Sequence, residues 1–174
     1  ENADAILDPG FDAVIDAIDK VRHKSLLLAR CHARGIPVVT CGGAGGRRDP
    51  TRIRTADLAA TSHDPLLLAV RRTLRAEHGF PKAPDGKQPV PFGIQAVFSD
   101  EPQCFPQCDG TVSTIREPGT DLRLNCQSGY GTRSPVTATF GLTATAATLE
   151  ILAPKPTSPP SSPDGSPWCV PGEP

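Results

Sequence analysis

The sequence of 174 residues contains no methionine, and it has a single tryptophan and a single tyrosine. Because a translated protein begins with methionine, a chain that begins at Glu1 and holds none has lost an N-terminal part or is a piece of a longer protein. The residues after Glu1 read as the interior of a fold and not as a signal peptide. We therefore expect a fragment that is long enough for one domain of ordinary size.

Long hydrophobic runs are also missing, which excludes an ordinary membrane span of roughly 20 apolar residues. The nearest candidate, residues 136–153, is interrupted by five threonines and by Glu150. This segment predicts a packed helix and leaves a peripheral membrane contact open. Heptad and Gly-X-Y repeats are absent as well, which excludes coiled-coil and collagen-like proteins.

The six cysteines lack the spacing of a zinc site. Three residues separate Cys104 from Cys108, whereas common zinc knuckles have two, and no second pair follows. The chain is too long, and its cysteines are too irregularly spaced, for a small disulfide scaffold. Structural thiols in a reducing compartment are the favoured interpretation.

Charge is unevenly distributed, although the chain has 18 basic and 19 acidic residues. Residues 1–19 carry six acids and no base, residues 20–87 carry 14 bases and five acids, and residues 88–174 carry four bases and eight acids. A middle segment with a net charge of +9 suits a polyanion such as nucleic acid or nucleotide phosphate. A solvated basic face balanced by acids elsewhere in the protein is an equally favoured alternative.

The first 40 residues predict a strand–helix–strand unit. Residues 11–18 form a short apolar segment that precedes Asp19 and indicates a buried strand. Apolar residues at helical spacing then run up to Gly35, and residues 36–40 (IPVVT) indicate a second strand. Such a βαβ unit predicts a parallel sheet with a right-handed crossover.

The middle of the chain predicts further strands and a helix. Residues 51–58, 94–99 and, more weakly, 111–116 indicate strands. Asp64 and Pro65 are typical of the start of a helix, which continues to Gly79. Three arginines are expected on the face opposite its apolar stripe: Arg71, Arg72 and Arg75.

The C-terminal part predicts one long helix and a tail. The helix begins at Pro135 and ends near Ala153. Residues 154–174 contain eight prolines mixed with serine, glycine and aspartate, which predicts a disordered Pro/Ser-rich tail.

Two carboxylates, Asp16 and Asp19, lie at the end of the first predicted strand. Ligands of open α/β sheets bind beyond the carboxyl ends of the strands, so Asp19 lies where a metal ion or a nucleotide would be held. A carboxylate there can bind the Mg²⁺ of a polyphosphate. Spacing alone favours a simpler alternative, in which Asp19 caps the next helix and Asp16 is structural.

Two other motifs are less specific. Residues 42–46 (GGAGG) match neither the Walker pattern nor the dinucleotide fingerprint, so a tight turn with positive φ is favoured over a phosphate loop. Cys126, in NCQSGYG, is a candidate nucleophilic thiol. No histidine lies near it in the sequence, and a buried inert cysteine is the default interpretation.

Several strings, taken in order, resemble one family. They are VIDAIDKVRHKSLLL, IPVVTCGGAGGRRDPTRIRTADLAATSHDPL, VFS, the DGTV turn and NCQSGYGTRSPVTATFG. Over residues 1–153 the chain is similar to the tRNA threonylcarbamoyladenosine dehydratases, which belong to the ThiF/MoeB-like, ubiquitin-activating-type adenylating superfamily. The specific pattern GGAGGxxDPTxIxxxDLAxTxxDPL carries much of this resemblance.

The resemblance implies a fold and a reaction. The fold is a Rossmann-like, mainly parallel α/β sheet of the ThiF/MoeB type over residues 1–153, with the Gly-rich nucleotide-binding half expected before Glu1. The reaction is the ATP- and Mg²⁺-dependent adenylation of the threonylcarbamoyl carboxylate on a tRNA adenosine. Ring closure with loss of water follows, and it is favoured because the attacking atom belongs to the same substituent.

The resemblance also implies roles for individual residues. In this family the second acid of the D-x-x-D element faces Mg²⁺ and the triphosphate, and that position here is Asp19. Arg22 and Lys24 follow within one helical turn and are catalytic candidates for contact with phosphate or developing charge. The implied partner of the basic segment is tRNA. The expected contacts with the tRNA backbone are made by Arg47, Arg48, Arg52 and Arg54.

The match to the family is incomplete. The GxGGVGS-type loop is absent from this chain, so we expect the chain to be inactive alone. Cys126 matches a position where the family commonly has cysteine, but the family's other frequent cysteine position is Ala96 here, which weakens the case for a catalytic thiol pair. Relatives imply a homodimer and a cytoplasmic location, and a membrane-associated or organellar location stays open.

Two alternative functions also stay open. One is adenylation of the C-terminus of a ubiquitin-like or sulfur-carrier protein by an enzyme of the same superfamily. Such enzymes usually have a transfer cysteine and often a zinc site of two CxxC pairs, and the sequence contains no such pair. The other is a non-catalytic module for binding or dimerisation.

Overall fold

The computed structural model describes residues 2–82, 87–107, 109–115 and 131–153. Its helices are α1 (Ala3–Leu7), α2 (Val21–Ala33), α3 (Pro65–Glu77) and α4 (Ser134–Leu152). Its strands are β1 (Val14–Asp16), β2 (Val38–Cys41), β3 (Ile53–Asp57), β4 (Gln95–Ser99), β5 (Phe105–Pro106) and β6 (Val112–Ser113). Short 3-10 turns at Pro50–Arg52 and Leu58–Ala60 flank β3.

A four-stranded sheet with the order β1-β2-β4-β3 forms the centre of the fold. Strands β1, β2 and β4 are parallel, and Asp16 of β1 pairs with Thr40 of β2. The predicted parallel βαβ unit is therefore confirmed. Strand β3 is antiparallel to β4, with Ile53 paired to Ser99. Strands β5 and β6 form a separate two-stranded antiparallel pair.

Alternating residues of the central strands bury two apolar clusters on opposite faces of the sheet, as a pleated strand requires. On one face, Val38 and Ala96 join the cluster that contains Leu28 of α2 and Leu67 of α3. On the other face, Val39 and Val97 pack against α4. The sheet is thus covered on both sides, which is typical of α/β proteins.

Helix α3 begins as its sequence predicted. The Asp64 carboxylate (Oδ1) accepts a hydrogen bond from Leu67 N at 2.9 Å, and Pro65 occupies the first turn, where its missing N–H has no cost. Gly79, just after the helix, has a φ of 71°, a conformation that glycine adopts without strain. Local chemistry therefore sets both ends of this helix.

Helix α4 is apolar around most of its circumference. Val136, Phe140, Ala144 and Ala147 face the sheet and are buried, whereas Leu142 on the outer side is exposed. Four threonine hydroxyls donate hydrogen bonds to the backbone carbonyl four residues earlier, those of Thr137, Thr139, Thr145 and Thr148. Within the described parts of the chain, no helix is both long and apolar enough to cross a membrane.

Two sequence predictions lie outside the described residues. They are the disordered tail over residues 154–174 and the candidate thiol Cys126. Of the weaker strand prediction over residues 111–116, the structure contains β6 at Val112–Ser113.

Candidate functional site at the carboxyl edge of the sheet

The parallel strands bring three loops to one edge of the sheet. Asp16, Cys41 and Ser99 end β1, β2 and β4, and each is followed by a loop at the carboxyl edge. Because β3 is antiparallel and Ile53 pairs with Ser99, the turn that precedes β3 lies at this edge as well. This is the edge at which open α/β sheets bind ligands.

Asp16 links three elements beneath this edge. Its Oδ1 accepts a hydrogen bond from Ile18 N at 3.0 Å, which bends the chain after β1. Its Oδ2 accepts a hydrogen bond from Thr40 Oγ1 at 2.6 Å and lies 2.6 Å from Lys24 Nζ. These contacts join β1, β2 and α2, and they agree with the structural role expected for Asp16.

Lys24 is turned into the protein. Its side chain and that of Asp16 are both fully buried, and among the described residues no polar group, Asp16 included, accepts a well-directed hydrogen bond from the ammonium. A buried charge of this kind needs its partner, because the desolvated ion has no water to replace it. The direct phosphate contact expected for Lys24 is therefore not supported, and the structure pairs Lys24 with Asp16 instead.

Asp19 lies in the exposed segment between β1 and α2. The side chains of Asp19 and Arg22 are both exposed to solvent. Helix α2 begins after Lys20, and no side chain from the N-cap position bonds to its first turn. The simple capping alternative for Asp19 therefore finds no support, and its carboxylate is free to meet a ligand beyond the edge.

A metal ion at Asp19 would need ligands from outside the described chain. Within residues 2–82, 87–107, 109–115 and 131–153, no group of three or more His, Cys, Asp or Glu side chains could hold a metal ion. Mg²⁺ commonly takes one or two carboxylates and completes its shell with water and phosphate oxygens. A single exposed carboxylate fits that mode of binding and does not fit an all-protein site.

The glycine cluster is packed against Asp64. A Cβ atom on Gly42 would lie 2.1 Å from Asp64 Oδ2, so only glycine fits without a shift. The same oxygen accepts a hydrogen bond from Gly43 N at 2.9 Å. Gly46 has a φ of 72°, as expected for a tight turn. The turn interpretation is thus confirmed, and Asp64 joins this loop to the start of α3.

Arg47 lies in the interior, although its sequence position suggested a surface contact. Only 1% of the residue is exposed, and its Nη2 donates to the carbonyl of His63. Burial lowers the pKa of the guanidinium, and the nearby Asp64 and Glu101 carboxylates oppose part of that shift. The structure corrects the expectation that Arg47 contacts a tRNA backbone, since a buried guanidinium cannot reach one.

The other three arginines that were expected to contact the tRNA backbone are at the surface. Arg48 is exposed, and its backbone N–H donates to Glu101 Oε2 at 2.8 Å. Arg52 Nε donates to Asp100 Oδ1 at 2.7 Å, and Arg54 Nε lies 3.4 Å from Asp100 Oδ2. Acids that follow β4 therefore neutralise part of the basic segment, and these pairings were not predicted from the sequence.

A cavity of about 370 Å³ lies beside the loop that follows β4. It is lined by His63, Asp64, Pro65, Leu68, Arg71, Pro102, Gln103, Phe105 and Thr114. Among the described non-glycine residues, only His63 has a positive φ, at 54°. Sequence reasoning missed this cavity, because its walls come from segments 40 residues apart in the chain.

Arg71 is also placed differently from its prediction. Its Nη1 donates to both the carbonyl and the hydroxyl of Thr61, and burial lowers the pKa of the guanidinium. Arg72, the next residue, is exposed as expected. Arg71 therefore belongs to the wall of the cavity and not to a solvated face.

Two of the described thiols, Cys31 and Cys41, are poor nucleophiles. Cys31, Cys41 and Cys104 are free. Burial raises the pKa of Cys41, and Lys24 offsets part of that effect. Burial likewise raises the pKa of Cys31. Since the thiolate is the reactive form, neither thiol is activated.

These observations define a class of protein first. The chain is a Rossmann-like α/β protein with a parallel-dominated sheet, as predicted. No family model matches the chain.

Curated proteins with similar sequences then share one name. The chain is 42% identical over 156 residues to a tRNA threonylcarbamoyladenosine dehydratase of Escherichia coli. This match covers 89% of this chain and 57% of that protein. It is 43% identical over 155 residues to the enzyme of the same name from Haemophilus influenzae, with coverage of 89% and 56%. The chain thus spans little more than half the length of the curated relatives it matches.

Solved structures agree with these relatives. The structure named TcdA (CsdL) is 40% identical and has a TM-score of 0.72. The match covers 87% of this chain and 54% of that one. The Escherichia coli TcdA in complex with ATP is 37% identical, with a TM-score of 0.66 and coverage of 87% and 52%. The matched part of the chain is similar in sequence and in structure to the tRNA threonylcarbamoyladenosine dehydratases, as its motifs indicated.

Proposed function

We propose that this chain takes part in the ATP-dependent dehydration of threonylcarbamoyladenosine in tRNA. The observation that carries the proposal is the exposed Asp19 carboxylate, which lies three residues beyond the buried Asp16 at the carboxyl edge. The names of the curated relatives supply the reaction, and a similar solved protein is in complex with ATP. The part that corresponds to the rest of those relatives is required for activity in this proposal.

The proposed chemistry has two steps that share one carboxyl group. An oxygen of the threonylcarbamoyl carboxylate attacks the α-phosphorus of ATP, and pyrophosphate leaves. A nitrogen or oxygen of the same substituent then attacks the activated carbonyl carbon, which closes a ring and releases AMP. The substrate loses the elements of water, and these are taken up in the conversion of ATP to AMP and pyrophosphate. The second step is fast because the attacking atom is already tethered near the carbonyl.

In this proposal, Asp19 and Arg22 are the side chains that contact the metal ion and the phosphates of ATP. Bound Mg²⁺ would neutralise the charge of the polyphosphate, and Asp19 would be its carboxylate ligand from this chain. The exposed Arg22 guanidinium, on the first turn of α2, would contact phosphate. Lys24 would act indirectly, since it holds the Asp16 carboxylate that bends the chain toward Asp19.

The surface arginines would hold the tRNA. Arg48, Arg52 and Arg54 lie on or near the same edge, where contacts with backbone phosphate would release counterions and make binding salt-dependent. A homodimer and a cytoplasmic location are part of the same proposal, because the family resemblance implies both.

The test uses the gene product that contains this chain. Asp19→Asn should lower tRNA-dependent ATP–pyrophosphate exchange and ring closure by about 100-fold or more, which is typical of a lost electrostatic contact to the transition state. Asp12→Asn is the matched control, because Asp12 is also exposed but lies before β1. Normal exchange in Asp19→Asn would contradict the role of Asp19. Exchange that depends on a carrier protein and not on modified tRNA would favour the alternative enzyme.

A further inference from the structure

The cavity beside β4 has the size of a small-ligand site. Its volume of about 370 Å³ falls in the range of ligand pockets, roughly 300–1,000 Å³. Leu68, Pro102 and Phe105 supply apolar wall, and Gln103 and Thr114 supply polar groups. An apolar pocket with a few polar groups suits a flat, partly polar molecule such as a nucleobase.

The charged groups around the cavity favour an anion. Only the Nη1 of Arg71 is hydrogen-bonded within the described residues, so its Nη2 and Nε remain available as donors. The acid in the wall, Asp64, is already engaged, because its two oxygens accept hydrogen bonds from Leu67 N and Gly43 N. Among the described residues that line it, the cavity therefore offers an uncommitted cation and no uncommitted carboxylate.

A second, buried guanidinium lies behind the same wall. Arg47 donates to the His63 carbonyl, and its Nε and Nη1 are buried without a hydrogen-bond partner among the described residues. The nearby Asp64 and Glu101 carboxylates offset part of this positive charge, and the remainder adds to the attraction of the site for an anion because little water screens it. Arg47 also holds His63 in its strained backbone conformation, and such strain clusters at functional sites.

We propose that this cavity binds one unstacked nucleotide of a single-stranded RNA segment, with the base against Phe105 and Leu68 and the phosphate on Arg71. Single-stranded RNA is recognised in this way, by splayed bases on aromatic and apolar side chains with cations on the backbone. The identity of the RNA as tRNA rests on the proposed function. One strand, β2, separates β1 from β4, so these two strands lie about 10 Å apart.

The test measures RNA binding by the 174-residue chain. The ligand is a fluorescent single-stranded oligoadenylate, compared with a duplex of similar length and with free AMP. Arg71→Gln should weaken binding of the single strand by about tenfold. Arg72→Gln is the matched control, because Arg72 is the next residue on α3 and removes the same charge from an exposed position. It should weaken binding by less than about threefold.

A second variant tests the cavity without changing charge or the buried core. Leu68 lines the cavity and is 37% exposed, so Leu68→Trp fills the space while leaving the interior intact. It should weaken binding of the single strand by about tenfold and leave the weaker binding of the duplex unchanged. Thermal midpoints check the folding of each variant, and Leu68→Trp decides the test if Arg71→Gln unfolds.

Several results would overturn the inference. They are an equal loss in Arg71→Gln and Arg72→Gln, full affinity in Leu68→Trp, and tight AMP binding with which the RNA does not compete. The proposed function fails separately. If the 174-residue chain binds RNA through the cavity but the gene product never closes the ring, the function is wrong and the cavity stands. If ring closure and RNA affinity both survive in the cavity variants, the cavity is wrong and the function stands.

Discussion

Two ion pairs of nearly equal length lie near the carboxyl edge, and they differ in burial. Lys24 Nζ lies 2.6 Å from Asp16 Oδ2, and both side chains are fully buried. Arg52 Nε lies 2.7 Å from Asp100 Oδ1, and these side chains are 43% and 30% exposed. Distance is therefore a poor guide to what each pair contributes. The buried pair leaves an unpaired desolvated charge when one partner is removed, whereas water replaces a lost partner at the surface.

The largest expected effect comes from breaking the buried pair. Lys24→Met should lower the free energy of unfolding by about 3–5 kcal/mol, because it leaves the Asp16 carboxylate buried without its counter-charge. Urea denaturation of the 174-residue chain measures this change. Lys20→Met is the matched control, since Lys20 is exposed one turn earlier.

Removing both charges sharpens the interpretation. Asp16→Asn combined with Lys24→Met should recover part of the lost stability, because neither charge then remains buried alone. If Lys24→Met costs no more than Lys20→Met, the buried pair is not the stabilising contact described here.

A smaller effect is expected at Gly42, which packs tightly against the Asp64 carboxylate at the same edge of the sheet. Gly42→Ala brings a Cβ within 2.1 Å of Asp64 Oδ2, which must shift away from Gly43 N and the α3 cap. Such overpacking costs about 1–3 kcal/mol in unfolding free energy. Gly43→Ala is the control, because a Cβ there meets only the Leu66 Cβ, at 4.0 Å. Equal midpoints in urea for the two variants would show that the loop has room to move.

The smallest effect is expected at the exposed pair, and it depends on pH. The Arg52 guanidinium holds the pKa of Asp100 below its usual 3.8, so the pair stabilises the protein above about pH 4 and loses this contribution as the pH falls through the lowered pKa. Asp100→Asn should therefore lower the thermal midpoint slightly at pH 7 and not at all in strong acid.

The salt dependence of stability distinguishes the Arg52–Asp100 ion pair from a carboxylate that only accepts hydrogen bonds. The pKa of Asp109 is also lowered, but by hydrogen bonds from Thr111. The small effect of Asp100→Asn should shrink at high salt, and that of Asp109→Asn should not. A large, salt-independent loss in Asp100→Asn would mean that the two ion pairs are alike.

Features set by local chemistry were predictable from the sequence. Asp64 and Pro65 start α3, and Gly79 follows its end, because caps and positive φ depend on a few neighbouring residues. The parallel pairing of β1 and β2 followed from the helix between them. The antiparallel placement of β3 was not predicted, since its partner β4 comes about 40 residues later.

The burial of charged residues was the main failure of sequence reasoning. Lys24, Arg47 and Arg71 were expected to face ligand or solvent, and each is instead fully or partly buried. A signal existed for Lys24, because it precedes Leu28 and Cys31 by four and seven residues and so shares their buried face of α2. No comparable signal exists for Arg47, whose partner His63 lies in a distant turn.

The strand order has a kinetic consequence. Strands β1 and β2 pair Asp16 with Thr40, 24 positions apart, whereas β2 and β4 pair Thr40 with Ala96, 56 positions apart. Because closure entropy grows only with the logarithm of loop length, the longer closure costs only about 0.8 kcal/mol more. The local βαβ unit is therefore expected to form slightly earlier in folding. The pairing of β2 with β4, which joins the two halves of the sheet, is expected to follow soon after.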